Sequence, residues 1–182
     1  ALIGSGIHFC ATCDGAFYRD KDVIVLGGGN SALEEGIFLA GFCKSVTIIH
    51  RSEKFKASDT YVEKLETIKN IHVHLDKSAV AFIANDKDLF EGVKVKDNKT
   101  GAQSIIKADG AFVFIGLIPN TTSFKGLVDL NKQGFITSQG LAETSVKGIF
   151  AAGDCREGAI AQVAAATGEG VLASYGVRDY LK

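Results

Sequence analysis

Early in the chain the order of apolar and polar positions changes twice in quick succession. Val23 to Leu26 form an unbroken apolar run that stops at three glycines. Leu33 and Ile37, with Phe38 or Ala40, then repeat at helical spacing, and Gly41 stands where that helix closes. The β-branched run "SVTIIH" follows directly. The succession predicts strand, turn, helix, strand, a βαβ unit with a parallel sheet. Further on, "ASDTYVEKLETIKN" predicts a helix capped at Ser58 or Asp59 and ended by Asn70. "IHVHL" alternates as a strand does, and "SAVAFIAND", "LFEGVKVKDNKTGAQSIIKA" and "GAFVFIG" predict more strands, with a hairpin turn at "DNKTG". The class is α/β with a β-rich addition. Pro119 to Lys147 is looser, with short strands such as "GFIT", and "KGIFAAGD" predicts a buried strand. The Ala-rich tail predicts one long helix starting near Gly158 to Ala161, despite Gly168 and Gly170.

Composition narrows this picture only a little. The 182 residues are 46% hydrophobic, with one Pro and 21 Gly, enough for one domain or one domain plus part of another. With 20 basic and 21 acidic residues the net charge is −1, which argues against wholesale attraction to nucleic acid or to anionic lipid. No apolar run approaches the roughly 20 residues that span a bilayer. The opening "ALIGSGIHFC" does not read as a signal peptide, so a reducing, cytoplasmic setting is expected.

The glycine turn carries the first chemistry. Gly27, Gly29 and Ala32 give G-x-G-x-x-A between a strand and a helix. The first Gly permits the tight turn, the second lets a pyrophosphate approach the backbone, and the small third residue lets helix and strand pack closely. The helix N-terminus adds N–H groups and partial positive charge, so a dinucleotide is expected there; otherwise it is a glycine turn in an ordinary core. An NAD site places an acid at the end of the second strand, to hold the ribose hydroxyl. Here His50, Arg51 and Lys56 occupy that region, which suits a 2′-phosphate and favours NADPH. The plainer reading of such a loop is solvated surface.

Cys10 and Cys13, in "HFCATCDGAF", carry the second. Zinc needs four ligands, and Cys43 and Cys155 stand alone with only His8 beside the pair. A structural bridge over so short a loop removes little chain entropy. A redox dithiol fits best, since this spacing lowers one thiol's pKa, and no metal is expected. Asp14 can serve as acid or base beside the thiolate, or simply cap a turn. Nicotinamide delivers two electrons together and a flavin is the usual intermediary to a dithiol, so FAD is expected. "GIFAAGDCREGAIAQV" offers a place for it: Gly153 and Asp154 after a strand, then a helix N-terminus. Gly-Asp after a strand is also an ordinary turn.

Taken together, "CATCDGAF", "KDVIVLGGGNSALEE", "VTIIHR", "AFVFIGLIPNT" and "GIFAAGDCREGAIAQV" resemble the low-molecular-weight thioredoxin reductase family of flavoproteins. The resemblance runs nearly the whole length. It implies two Rossmann-like domains: residues 1–116 as the NADPH domain with its redox pair, and 117–182 as the C-terminal part of the FAD domain. The family's N-terminal FAD part is not in this sequence, so a fragment that is inactive alone and binds FAD poorly is expected. The implied relay runs from NADPH on Gly27, Gly29, Asn30, Ser31 and Ala32 to FAD, then to Cys10–Cys13, then to thioredoxin. Cys13 would face the flavin, Cys10 would attack thioredoxin, and Asp14 would handle the proton. Gly153, Asp154, Gln162 and Val163 would hold FAD. The family also implies a homodimer, and a rotation of the NADPH domain about residues 1–8 and 114–118.

There are two departures from the family pattern. Ser52 and Lys56 stand where arginines are common, so the 2′-phosphate clamp loses a bidentate fork and NADPH preference is expected to weaken. Ala161 precedes Gln162 where a basic residue is common, which touches the flavin edge and the electron donor. Two other readings therefore stand beside the first. One is a reductase of the same fold using ferredoxin or NADH, or another protein partner. The other is a bare NADP-binding module without turnover.

Overall fold

A computed structural model describes residues 2–182, which divide into two compact units at 115/116. In the first unit β1 (Ile7–His8) is followed by α1 (Ala11–Asp14) and a 3₁₀ turn (Gly15–Tyr18). Then come β2 (Asp22–Leu26), α2 (Asn30–Ala40), β3 (Ser45–Ile49), α3 (Asp59–Glu66) and β4 (Ile71–His74). The unit ends with β5 (Lys77–Ala84), β6 (Phe90–Asp97), β7 (Gln103–Lys107) and β8 (Gly110–Val113). Five strands form a parallel sheet in the order β1-β8-β2-β3-β4. The strands β5-β6-β7 form a separate antiparallel sheet.

The unbroken apolar run of β2 follows from burial on both faces. Val23 and Val25 join a core with Leu33 and Leu39 of α2, Val46 and Ile48 of β3 and Leu65 of α3. Ile24 and Leu26, pointing the other way, pack with Phe90, Val93 and Val95 of β6. An antiparallel sheet thus covers the face that a helix covers in an ordinary doubly wound fold. Gly36 lets α2 approach the sheet, since a Cβ there would lie 3.2 Å from Ile48 Cδ1.

Asn70 does not end α3, which stops at Glu66 with Thr67 as its C-cap. Its side-chain amide donates instead to the carbonyls of Ala40 and Cys43, at 2.9 and 3.1 Å, just after α2. Ser58 is the N-cap of α3 by position, without a side-chain capping bond.

The second unit departs further from the sequence reading. "KGIFAAGD" and "GFIT" contain no strand, only isolated bridges such as Ile136 with Arg156 and Glu143 with Phe150. A strand needs a neighbour to pair along its length. Within this unit turns at Gly140, Gly148 and Gly153, all at positive φ, break the chain too often for one to form. The helix α4 (Val163–Tyr180) starts later than the Gly158–Ala161 expectation. Ala161 lies at φ 57°, left-handed, and cannot continue a helix. Among the described residues no helix is long and apolar enough to cross a membrane.

Candidate functional site

The first site is built at the carboxyl end of β2. Gly27 takes φ 147°, and a Cβ there would run into the carbonyl of Phe114 and lie 2.8 Å from Ala32 Cβ. Gly29 is the N-cap of α2, and the space where its side chain would be is open. Ala32 is buried between helix and sheet, whereas Asn30 and Ser31 lie at the helix start, exposed or nearly so. Asn30 Oδ1 accepts the Ser58 N–H at 2.8 Å and Gly28 O accepts that of Lys56 at 2.7 Å, which ties the loop after β3 to the turn.

That loop separates the three residues read together as cations. Arg51 and Lys56 are exposed. His50 is 6% exposed and turned in under the turn, stacked on Phe55, with Nε2 3.1 Å from Lys54 O. Burial, joined by the charges of Lys56 and Arg51, holds its pKa below the usual histidine value.

The second site lies on the 3₁₀-linked turn before β2. Cys10 and Cys13 form a disulfide across α1, with Cα atoms 5.3 Å apart. Cys10 is the N-cap, its sulfur accepting the Cys13 N–H at 3.1 Å, and Cys13 is exposed. Gly15 lets this turn lie on α2, since a Cβ would be 3.0 Å from Leu39 Cδ2. Asp14 Oδ2 is 3.0 Å from His8 Nδ1, and His8 Nε2 is 2.7 Å from the Tyr18 hydroxyl. The sequence reading considered His8 only as a zinc ligand and left Tyr18 out. The one available signal was the unusual polar residue at the end of an apolar strand. Among the described residues no group of three or more His, Cys, Asp or Glu is placed to hold a metal. Cys43 is buried, with its thiol pushed up to about 11 by burial, and plays no part in this chemistry.

The second unit holds the remaining predicted residues. Gly153 takes φ 80°, and its N–H donates to Glu169 Oε2 at 2.8 Å. Arg156 Nε donates to the same oxygen at 2.8 Å and its Nη2 pairs with Oε1. Reading by sequence missed this pair, because Glu169 looks like any polar helix residue. Asp154 and Arg156 border a cleft of about 260 Å³ lined also by Leu117, Gly158 and Ala161. Gln162 is the N-cap of α4, and Val163 after it is 82% exposed.

Sequence comparison matches residues 2–170 to the pyridine nucleotide-disulphide oxidoreductase family. The chain is 38% identical over 181 residues to a thioredoxin reductase of Bacillus subtilis (strain 168), covering 100% of this chain and 57% of the relative. It is 40% identical over 182 residues to one of Mycolicibacterium smegmatis, covering 58% of it. The crystal structure of thioredoxin reductase from Streptococcus pyogenes MGAS5005 superposes with a TM-score of 0.86 at 34% identity, over 99% of this chain and 58% of that one. The chain thus spans somewhat more than half the length of the relatives it matches.

Proposed function

The chain belongs to the pyridine nucleotide-disulphide oxidoreductase family, and we propose that it serves a thioredoxin-disulfide reductase as the part carrying the nucleotide turn and the redox cysteines. The observation that carries this reading is one unit holding both a G-x-G-x-x-A turn opening α2 and a disulfide across α1. We assign residues 1–116 to NADPH binding and 117–182 to the flavin-binding domain.

The residues fit both groups. The open space at Gly29 lets a pyrophosphate reach the N-terminus of α2, where Asn30 and Ser31 can meet it. Exposed Arg51 and Lys56 suit a 2′-phosphate, which favours NADPH over NADH. His50, buried and held neutral, shapes the turn from below. The cleft beside Asp154, with Gln162 and Val163 next to it at the start of α4, suits FAD. The bound nicotinamide and flavin would together supply the electron pair that opens the Cys10–Cys13 bond. Asp14, next to Cys13, moves the proton, and Cys10 attacks the disulfide of thioredoxin.

Capture of thioredoxin tests this without any cofactor. The bait is a thioredoxin with one cysteine replaced and the other carrying a thionitrobenzoate leaving group. A Cys13→Ser chain is expected to displace the leaving group through Cys10 and hold the bait in a mixed disulfide. A Cys10→Ser chain should do so at least about ten times more slowly, having lost the attacking thiol. Equal capture of an unrelated protein activated in the same way would defeat the proposal. Faster capture by Cys10→Ser would reverse the assigned roles.

A further inference from the structure

The redox turn contains a line of three side chains at hydrogen-bond distance from one another, of which the relay above uses only Asp14. It starts at Asp14, runs through His8 and ends at Tyr18. His8 is 7% exposed and Tyr18 8%, so this line leads away from solvent, although Asp14 at its head stays partly open. Packing fixes the imidazole: Phe112 stacks on it with centroids 5.2 Å apart, and Tyr18 meets it edge-on at 5.2 Å. Gly110 makes room for the phenol, because a Cβ there would strike the Tyr18 ring. Three elements thus hold one histidine at hydrogen-bond distance from the acid that follows Cys13. A histidine held at both ring nitrogens can take a proton at one of them while the other keeps its partner.

Resting on the redox reading above, we propose that His8 is a positioning residue that stores the proton Asp14 removes from the dithiol. The exchange balances as follows. Cys10 gives its proton to solvent water; the resulting thiolate attacks one sulfur of a protein disulfide, a new S–S bond forms, the partner's bond breaks, and its leaving sulfur takes one proton back from solvent. Cys13 then loses its proton to Asp14 and attacks Cys10. The Cys10–Cys13 bond forms again, and the partner's second sulfur departs and takes the second proton. Two electrons and two protons have passed from the dithiol to the partner. Between removal and delivery, the proton on Asp14 moves to His8 Nδ1, 3.0 Å away, which is bare to receive it in the tautomer whose Nε2–H donates to the Tyr18 oxygen. Asp14 then remains a carboxylate paired with an imidazolium.

Tyr18 is the end of the line and not the sink. Burial first, then the carboxylates of Asp14 and Asp109, hold its pKa above the ordinary value, so it keeps its own proton. The other groups facing the line are few. Lys21 Nζ lies 5.4 Å from the Tyr18 ring centroid. From α2, Glu35 accepts the backbone N–H of Ala11, and burial raises its pKa. Its Oε2 is buried without a hydrogen-bond partner.

The test uses the 182-residue chain in a Cys155→Ser background, with Cys43 buried and its thiol pushed up to about 11. The pair is opened with dithiothreitol, and thiolate is followed by absorbance at 240 nm against pH. In His8→Gln, which keeps polarity but cannot take up a proton, the thiolate midpoint is expected to rise by about one unit. An imidazolium that favoured the thiolate has been lost. A second readout follows the line with His8 in place. The His8 ring proton signal, assigned by its loss in His8→Gln, is titrated by NMR in the oxidised and the reduced chain. Linkage requires its midpoint to move between the two forms by a comparable amount. A thiolate midpoint unmoved in His8→Gln, or a His8 midpoint identical in both redox forms, overturns the inference. A pair that opens and recloses beside an indifferent His8 defeats this inference alone. A pair that cannot be reversibly opened defeats the redox reading with it.

Discussion

Gly28 illustrates how one residue shapes the nucleotide turn. It needs no unusual φ; what it needs is space, because a Cβ there would enter the His50 ring. The ring cannot simply rotate away, since Nε2 is held by Lys54 O and one face is stacked on Phe55. Gly28→Ala should therefore lower the chain's stability by about 1–3 kcal/mol, as other overpacked sites do. His50→Ala in the same chain should recover most of that loss. Urea unfolding of the single and double variants reads both terms, and a Gly28→Ala as stable as the parent would mean the ring has somewhere to go. Gly27, Gly29 and Ala32 were legible in the sequence because their reasons are local: a turn, an approach, a helix start. Gly28 was not, because its reason is a histidine from after the next strand. His50 itself was read as a cation by its neighbours Arg51 and Lys56. Burial sets it apart from them, and burial depends on the loop's path, which charge pattern alone does not reveal.

The elements of the second unit depend on a polar tie as much as on packing. Glu169, on the second turn of α4, accepts from Arg156 and from the Gly153 N–H and so holds the Gly153–Arg156 loop to the helix. The guanidinium, first, and the Gly153 N–H, second, lower its pKa from 4.5 to about 2. The folded-state value is depressed, so the tie adds stability that is complete above about pH 4.5 and fades as pH falls through about 2. Between those values the parent should lose stability more steeply with acid than Glu169→Gln does, and the two curves should converge at the acid end. Unfolding followed by circular dichroism at a series of pH values measures the slopes; parallel curves would show that the tie is worth nothing. At this scale the sequence was a good guide wherever an element carries its own signal. β2, α2 and β3 follow from the apolar run, the helical period and the β-branched run. "KGIFAAGD" has the composition of a strand, yet no strand within its unit runs alongside it, and pairing cannot be read from the segment itself. The late start of α4 turns on Ala161 at positive φ, a conformation that alanine's composition gives no hint of.

The two units differ in how much apolar surface each buries, and that difference sets an expected order of opening. The first unit has a core on each face of its parallel sheet, including Phe112, Ile24, Leu33 and Val93, all fully buried. In the second, the buried apolar residues are Val128, Ile136 and Ala151. Within α4 only Gly176 is buried, and Val163, Val171, Leu172 and Tyr175 are exposed. That helix also carries glycines at 168, 170 and 176, each costing roughly 1 kcal/mol relative to alanine in a helix interior. Amide exchange by mass spectrometry of this chain should show β2, β3 and β8 protected about a hundredfold or more over α4. Two alanine substitutions separate intrinsic helix weakness from poor docking. A Cβ at Gly170 meets nothing within 4 Å, so Gly170→Ala should slow exchange in α4 several-fold, for a gain of about 0.5–1 kcal/mol. A Cβ at Gly176 would lie 2.6 Å from the Leu141 carbonyl oxygen and 2.7 Å from the Phe150 ring, so Gly176→Ala should speed exchange instead. If both substitutions slowed exchange alike, α4 would not be packed through Gly176, and its protection would reflect helix propensity alone.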